Sequence, residues 1–118
     1  MLPLLGRLRL VFKRPEQDVR NGGIEACMQI WGIDKRKFSE FSNTLTSDVR
    51  QQTEADILAV FECANEFLWS GPSEQRWDME VFLPALRKKL AAQFPWLSDR
   101  AFRSIAGYCH WMAWHEGL

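Results

Sequence analysis

The chain has 118 residues, of which 47% are hydrophobic and 25% charged, and its 15 basic and 15 acidic side chains leave no formal net charge at pH 7. This length and composition are ordinary for one folded domain and argue against wholesale disorder or a fibrous repeat. A zero net charge removes the general attraction to phosphate that nucleic-acid-binding proteins show, so no nucleic-acid partner is expected. We predict a single domain over residues 1–118.

Charge is distributed unevenly along the chain. Residues 1–47 carry eight bases and five acids, residues 48–80 two bases and eight acids, and residues 81–118 five bases and two acids. The middle of the chain is therefore an acidic segment between two mildly basic ones.

The first 15 residues are apolar and basic, but Gly6 and Arg7 interrupt the apolar run. This interruption comes too early for a signal-peptide core or a membrane span, so we expect a cytoplasmic protein of bacterial type with no membrane span. We predict that residues 1–15 form an arm or short strand packed on the body of the protein and ending at Pro15. An amphipathic N-terminus at a membrane surface is the alternative.

The rest of the chain shows helical rather than strand periodicity. We therefore predict an all-α fold, a compact bundle of five to six helices with an N-terminal arm. The run Asn21-Gly22-Gly23 predicts a break, followed by a helix over residues 24–31 that stops at Gly32. Asp34 is a favourable N-cap for a second helix.

The clearest helix lies between residues 48 and 70. Thr46 or Ser47 caps its start, and Gly71-Pro72 ends it. Its apolar positions recur at helical spacing and form one stripe. They are Val49, Thr53, Ile57, Val60, Phe61, Ala64, Phe67 and Leu68.

Two further helices follow. The first has Met79, Phe82 and Leu86 facing inward, and Pro84 predicts a kink or a break near Leu83 because proline removes a backbone hydrogen bond. The last helix begins after Ser98 as N-cap and runs to about residue 116.

The final helix is apolar on two sides. Beyond its core stripe, a second face carries Arg103, Gly107, Trp111, Trp114 and His115. Either the tryptophans pack against the N-terminal arm or the first helix, or this face is kept for a partner. The cost of a helical glycine, about 1 kcal/mol relative to alanine, favours a close backbone approach at Gly107.

No catalytic or metal-binding motif is present in the sequence. Cys27, Cys63 and Cys109 are widely spaced and odd in number, which indicates free thiols. His110 and His115 are five residues apart, about 140° round a helix, and so do not form a metal-binding pair. We therefore predict no enzymatic activity, no catalytic residues, no cofactor and no metal.

The acidic segment contains the other candidate binding surface. Carboxylates and indoles of the long helix and the segment after it form a predicted acidic face that docks a basic partner. Its members are Asp48, Glu62, Glu66, Trp69, Glu74, Trp77 and Asp78. The alternative is a solvated acidic face neutralised by Arg87, Lys88 and Lys89 from a neighbouring helix or second subunit.

Three functions fit these features. The first is a non-enzymatic protein-binding module, with an inhibitor or immunity-type protein as its most specific form. The second is a structural or regulatory homo-oligomer that uses Arg103, Trp111, Trp114 and His115. The third is a nucleic-acid or membrane-surface regulator that uses the basic clusters at residues 7–14 and 35–37.

Overall fold

The computed structural model describes residues 18–70 and 78–115. Within these ranges the chain is all-α apart from one small hairpin, as predicted. Residues 18–70 and 78–115 contain five α-helices and two strands of two residues each. In chain order they are α1 Val19–Cys27, β1 Met28–Gln29, β2 Gly32–Ile33, α2 Lys35–Ser42, α3 Ser47–Ser70, α4 Met79–Gln93 and α5 Asp99–His115. The predicted arm over residues 1–15 lies outside the described residues.

The described elements share one hydrophobic core. Helix α3 supplies its long central stripe, α1 and α5 pack against α3, and α4 covers the remaining side of it. The fully buried side chains at the centre include Ile24, Ile57, Leu68, Phe82, Leu86, Leu90 and Ile105. No helix of the described ranges is both long enough and apolar enough to cross a membrane.

The first helix corrects the prediction made from Asn21-Gly22-Gly23. Asp18 is the N-cap of α1, and its carboxylate accepts from the Arg20 backbone N–H at 3.0 Å. The helix then continues through both glycines. Position 23 requires glycine because a side chain would not fit there. A Cβ would lie 2.5 Å from the Phe41 ring and 2.7 Å from Ile57 Cδ1. Tertiary packing thus overrides the weak helix propensity of glycine.

Asn21 ties α1 to the turn before α5. Its side chain is 1% exposed, and its Nδ2 donates to the Trp96 carbonyl oxygen at 2.8 Å. The Ser98 backbone N–H in turn donates to Asn21 Oδ1 at 2.9 Å. One amide therefore satisfies two backbone groups that lie more than 70 residues away, and the helix must reach Asn21 to place it there.

The helix predicted over residues 24–31 is wrong beyond Cys27. Residues Met28–Gln29 and Gly32–Ile33 instead pair as an antiparallel hairpin, with Met28 opposite Ile33. Gly32 has a φ of 129°, which strongly favours glycine, and the Asp34 N–H donates to the Cys27 carbonyl oxygen at 2.8 Å. The hairpin returns the chain to the N-cap of α2, where the predicted Asp34 accepts from Lys37 N at 3.0 Å.

The remaining helix boundaries follow the predicted caps closely. The Ser98 hydroxyl accepts from the Ala101 N–H at 3.1 Å, which confirms it as the N-cap of α5. Of the kink or break predicted near Leu83, the break is wrong, because α4 continues through Pro84. Pro84 is exposed, so the Glu80 carbonyl that loses its helical donor is close to water. Val49, predicted inward, is 43% exposed in the first turn of α3.

The adjacent glycines of α1 offer a matched test of this packing. Gly22→Ala adds a methyl group with no neighbour within 4 Å at an exposed position of α1. It should raise the free energy of unfolding by about 1 kcal/mol, because alanine is a better helix former than glycine. Gly23→Ala forces Phe41 and Ile57 to move, and its free energy of unfolding should be about 1–3 kcal/mol below that of Gly22→Ala. Urea unfolding of both variants measures the difference, and equal stabilities would contradict the close packing at Gly23.

Loss of the Asn21 amide should also destabilise the fold. Asn21→Ala leaves the Trp96 carbonyl and the Ser98 N–H without their partner, at a cost of about 2–3 kcal/mol in the free energy of unfolding. The exposed Asn43, at the C-cap of α2, is the matched control, and Asn43→Ala should change stability by less than about 0.5 kcal/mol. Chemical denaturation followed by circular dichroism checks both values.

Candidate functional site

The described members of the predicted acidic face are spread along α3 and the start of α4. Asp48 lies in the first turn of α3, whereas Glu62 and Glu66 lie in its second half. Fourteen residues of helix separate Asp48 from Glu62, which corresponds to about 21 Å along the axis. Glu74 and Trp77 fall outside the described residues, so the face as a whole stays a prediction.

Asp48 lines a separate concavity between the N-terminal ends of α1 and α3. The floor of this concavity is organised by Arg20, which pairs with Asp18 at 2.7 Å and with Asp56 at 2.8 Å. The Arg20 guanidinium also lies 4.1 Å from the centre of the Trp96 ring. The hydrogen bonds that the Arg20 side chain donates to the Asp18 carboxylate outweigh desolvation and raise the pKa of Arg20. These contacts connect α1, α3 and the turn before α5, so this network is structural.

Asp48 itself has a local role at the start of α3. The Thr46 hydroxyl donates to its carboxylate, and this hydrogen bond lowers the pKa of Asp48. An ionised carboxylate in the first turn is also stabilised by the helix dipole. Asp78 is engaged similarly at the start of α4, where Oδ1 accepts from the Glu80 N–H at 3.1 Å.

Glu62 and Glu66 lie beside an open groove between α3 and α4. The groove has a volume of about 580 Å³, and α4 contributes Lys89 and Gln93 to it. Lys89 Nζ lies 5.8 Å from the centre of the Phe67 ring. Of the three bases considered as neutralising charges, only Lys89 lines this groove. Two carboxylates against one ammonium leave it with a net negative charge.

Arg87 contacts α5 rather than the groove. Its guanidinium pairs with Asp99 at the start of α5 and lies 5.0 Å from the centre of the Phe102 ring. Within the described ranges, Glu62 and Glu66 themselves make no ion pair within 4.0 Å, and both are exposed.

Trp69 is held at one edge by a polar bridge. Asn65 Oδ1 accepts from Trp69 Nε1 at 3.0 Å and from the Tyr108 hydroxyl at 2.6 Å. Burial raises the pKa of Tyr108, which therefore remains a donor at neutral pH. The indole is 37% exposed, so one part of it is fixed on the protein and another part faces solvent. Helix α5 thus fixes the orientation of an aromatic side chain on α3.

The second predicted surface lies on the C-terminal half of α5. Trp111 stacks on His115 with ring centres 4.3 Å apart and an interplanar angle of 11°. Trp114 is 74% exposed, so it does not pack into the core or against α1. Together with Gly107 and His110, the two indoles line a shallow concavity of about 240 Å³. Arg103 is exposed one turn before Gly107.

The hairpin turn is an exposed apolar feature that the sequence reasoning missed. Ile30 is 50% exposed and Trp31 is 57% exposed. The sequence instead predicts both residues on a helix over residues 24–31. The alternation of small and large residues across Gly32 was the available signal, but two-residue strands are too short to produce a reliable periodicity.

The titratable groups of the described ranges include no metal site: no cluster of three or more His, Cys, Asp or Glu residues could hold an ion. The three cysteines are free thiols. Burial raises the pKa of Cys27 to about 11 and that of Cys109 to about 12. Cys63 is half-buried in the α3–α4 groove, where its thiol donates to Gln93 Oε1 at 3.5 Å.

Comparisons of the chain with protein-family models, with curated proteins and with solved structures found no match.

Thiol labelling should distinguish the groove from the core. A water-soluble disulfide reagent at pH 8 should modify Cys63 first, because it is the accessible thiol, while Cys27 and Cys109 react only after unfolding. Absorbance of the released thiolate should therefore report one fast thiol per chain in the native protein and all three in denaturant. Cys63→Ser should abolish the fast phase. Rapid modification of more than one native thiol would contradict the burial described.

Proposed function

We propose that the chain is a non-enzymatic binding protein that docks a basic protein through the exposed ridge of α3. The ridge consists of Leu58, Glu62, Glu66 and Trp69. The most specific partner that this chemistry fits is an enzyme with a cationic active site. With such a partner, the chain is an inhibitor or immunity-type protein.

The observation that carries the proposal is the order of side chains along this ridge. Its members are three or four residues apart and so follow one another along one side of the helix. Two exposed carboxylates stand between two apolar side chains, of which Leu58 is 40% and Trp69 is 37% exposed. The row extends about 16 Å along the axis, the length of a small recognition surface.

The two kinds of side chain contribute differently to binding. A partly desolvated indole is the type of residue that supplies affinity at the centre of an interface. Exposed carboxylates contribute more to the rate of encounter with a basic partner and to specificity. Trp69 is already oriented by Asn65, so less side-chain entropy is lost when a partner covers it.

Lys89 sets a limit on the chemistry of the partner. It lies in the groove beside the carboxylates, so an incoming cation has to approach from the side of the ridge away from α4. A partner whose basic groups are spaced along the ridge therefore fits better than one that inserts a single arginine deep into the groove.

Charge reversal on the ridge should slow association without unfolding the protein. In a pull-down from a lysate of the source organism, Glu66→Lys should lose most of the partner that the unaltered chain recovers. With the recovered partner purified, its association rate should fall about fivefold or more at low salt, and less at high salt. The midpoint of thermal unfolding should stay within about 2 °C, because Glu66 is exposed and makes no ion pair with the described residues.

The matched control is Glu40→Lys on α2. It makes the same change in net charge at an exposed helical carboxylate, whose only ion pair within the described ranges is a 3.8 Å contact with Arg36. It should leave recovery and association rate nearly unchanged. Equal loss in both variants would indicate a response to net charge, and no loss in Glu66→Lys would remove the ridge from the interface.

A further inference from the structure

The exposed face of α5 contains a projection and a notch that match each other. Trp114 is the most exposed of the large apolar side chains in the described ranges, at 74%. At Gly107 a Cβ would meet no atom within 4 Å, so the helix surface there is open and lacks a side chain. A bulky indole and a bare stretch of backbone thus occur on one helix.

Their spacing places both on the same side. Seven residues separate Gly107 from Trp114, which is within about 20° of two full turns and about 10.5 Å along the axis. His110 and Trp111 lie between them, and the Trp111 ring is held by stacking on His115. The Trp111 side chain between the projection and the notch is therefore already held in one orientation.

We propose that α5 pairs with α5 of a second copy in an antiparallel, two-fold arrangement. Trp114 of each chain enters the notch at Gly107 of the other. A two-fold axis requires a surface that is complementary to itself, and an antiparallel pair centred between His110 and Trp111 brings residue 107 opposite residue 114 twice. The missing side chain of Gly107 is what lets the two helices approach closely enough to bury the indole.

Charge on the same face favours this orientation. Arg103 lies one turn before Gly107, is exposed, and makes no ion pair within the described ranges. In the antiparallel pair it lies beside the C-terminal end of α5 in the second copy. A guanidinium is stabilised there by the partial negative charge of the terminal carbonyl groups. A parallel pair would place the two Arg103 side chains side by side.

This pairing is independent of the α3 ridge. It uses a different helix, whose projection at Trp114 and notch at Gly107 are seven residues apart. A second copy carries the same two features at the same spacing, so symmetry alone supplies the complementary surface.

Sedimentation equilibrium of the full chain from about 1 μM to about 500 μM tests the proposal. We expect a reversible dimer, with the dissociation constant raised about tenfold or more by Trp114→Ala. Trp31→Ala removes another indole, 57% exposed on the hairpin, and should leave the constant unchanged. A chain that stays monomeric over the whole range, including one whose α5 face is covered by its own residues 1–17, overturns the proposal.

A substitution at the notch separates pairing from folding. Gly107→Leu fills open space in the single chain and replaces glycine with a better helix former, so the thermal midpoint of the monomer at low concentration should stay the same or rise. It should nevertheless weaken the dimer about tenfold or more, because the indole of the second copy can no longer enter. A dimer that survives Gly107→Leu, or that is broken by Glu66→Lys, uses another surface and contradicts the two-fold arrangement.

Discussion

The insertion of α1 between α2, α3 and the turn before α5 is the constraint on which the rest of the structure depends. Gly23 lets α1 lie against Phe41 and Ile57, and Asn21 hydrogen bonds to the backbone on both sides of the turn at residues 96–98. Arg20 adds pairs with two carboxylates and a contact with the Trp96 ring. Three residues within about one turn of a short helix therefore set the position of α5 relative to α3.

That position determines what the long helix can present. With α5 in place, Tyr108 reaches Asn65 and fixes the edge of Trp69, while α4 covers the opposite side of α3 and brings Lys89 beside the carboxylates. The part of α3 left uncovered includes the ridge, in which two carboxylates stand between two apolar side chains. On α5 the same packing buries Cys109 and Ala113 and leaves Trp114 and Gly107 on the outside.

Binding surfaces on small helical proteins lie on the parts of helices that neighbouring helices leave uncovered. The 24 residues of α3 are not covered on all sides by α1, α4 and α5, so part of the helix surface remains exposed. Whether such a surface recognises a partner depends on the order and orientation of its side chains. An indole held by a hydrogen bond, beside carboxylates that make no ion pair in the described part of the chain, is therefore more informative than acidity alone. Asp48 and Asp78 show the contrast, because each is occupied at the start of its own helix.

The sequence alone determined the helical class, the caps at Asp34 and Ser98, and most of the core stripe of α3. These features depend on residues within one or two turns of each other, so local spacing is enough to specify them. The tertiary structure decided that Asn21-Gly22-Gly23 is helix, that residues 28–33 form a hairpin, and that Pro84 interrupts nothing. It also placed Lys89 in the groove and left Trp114 in solvent. Each of these depends on contacts between segments far apart in the chain, whose packing and hydrogen bonds outweigh local propensities of about 1 kcal/mol per residue.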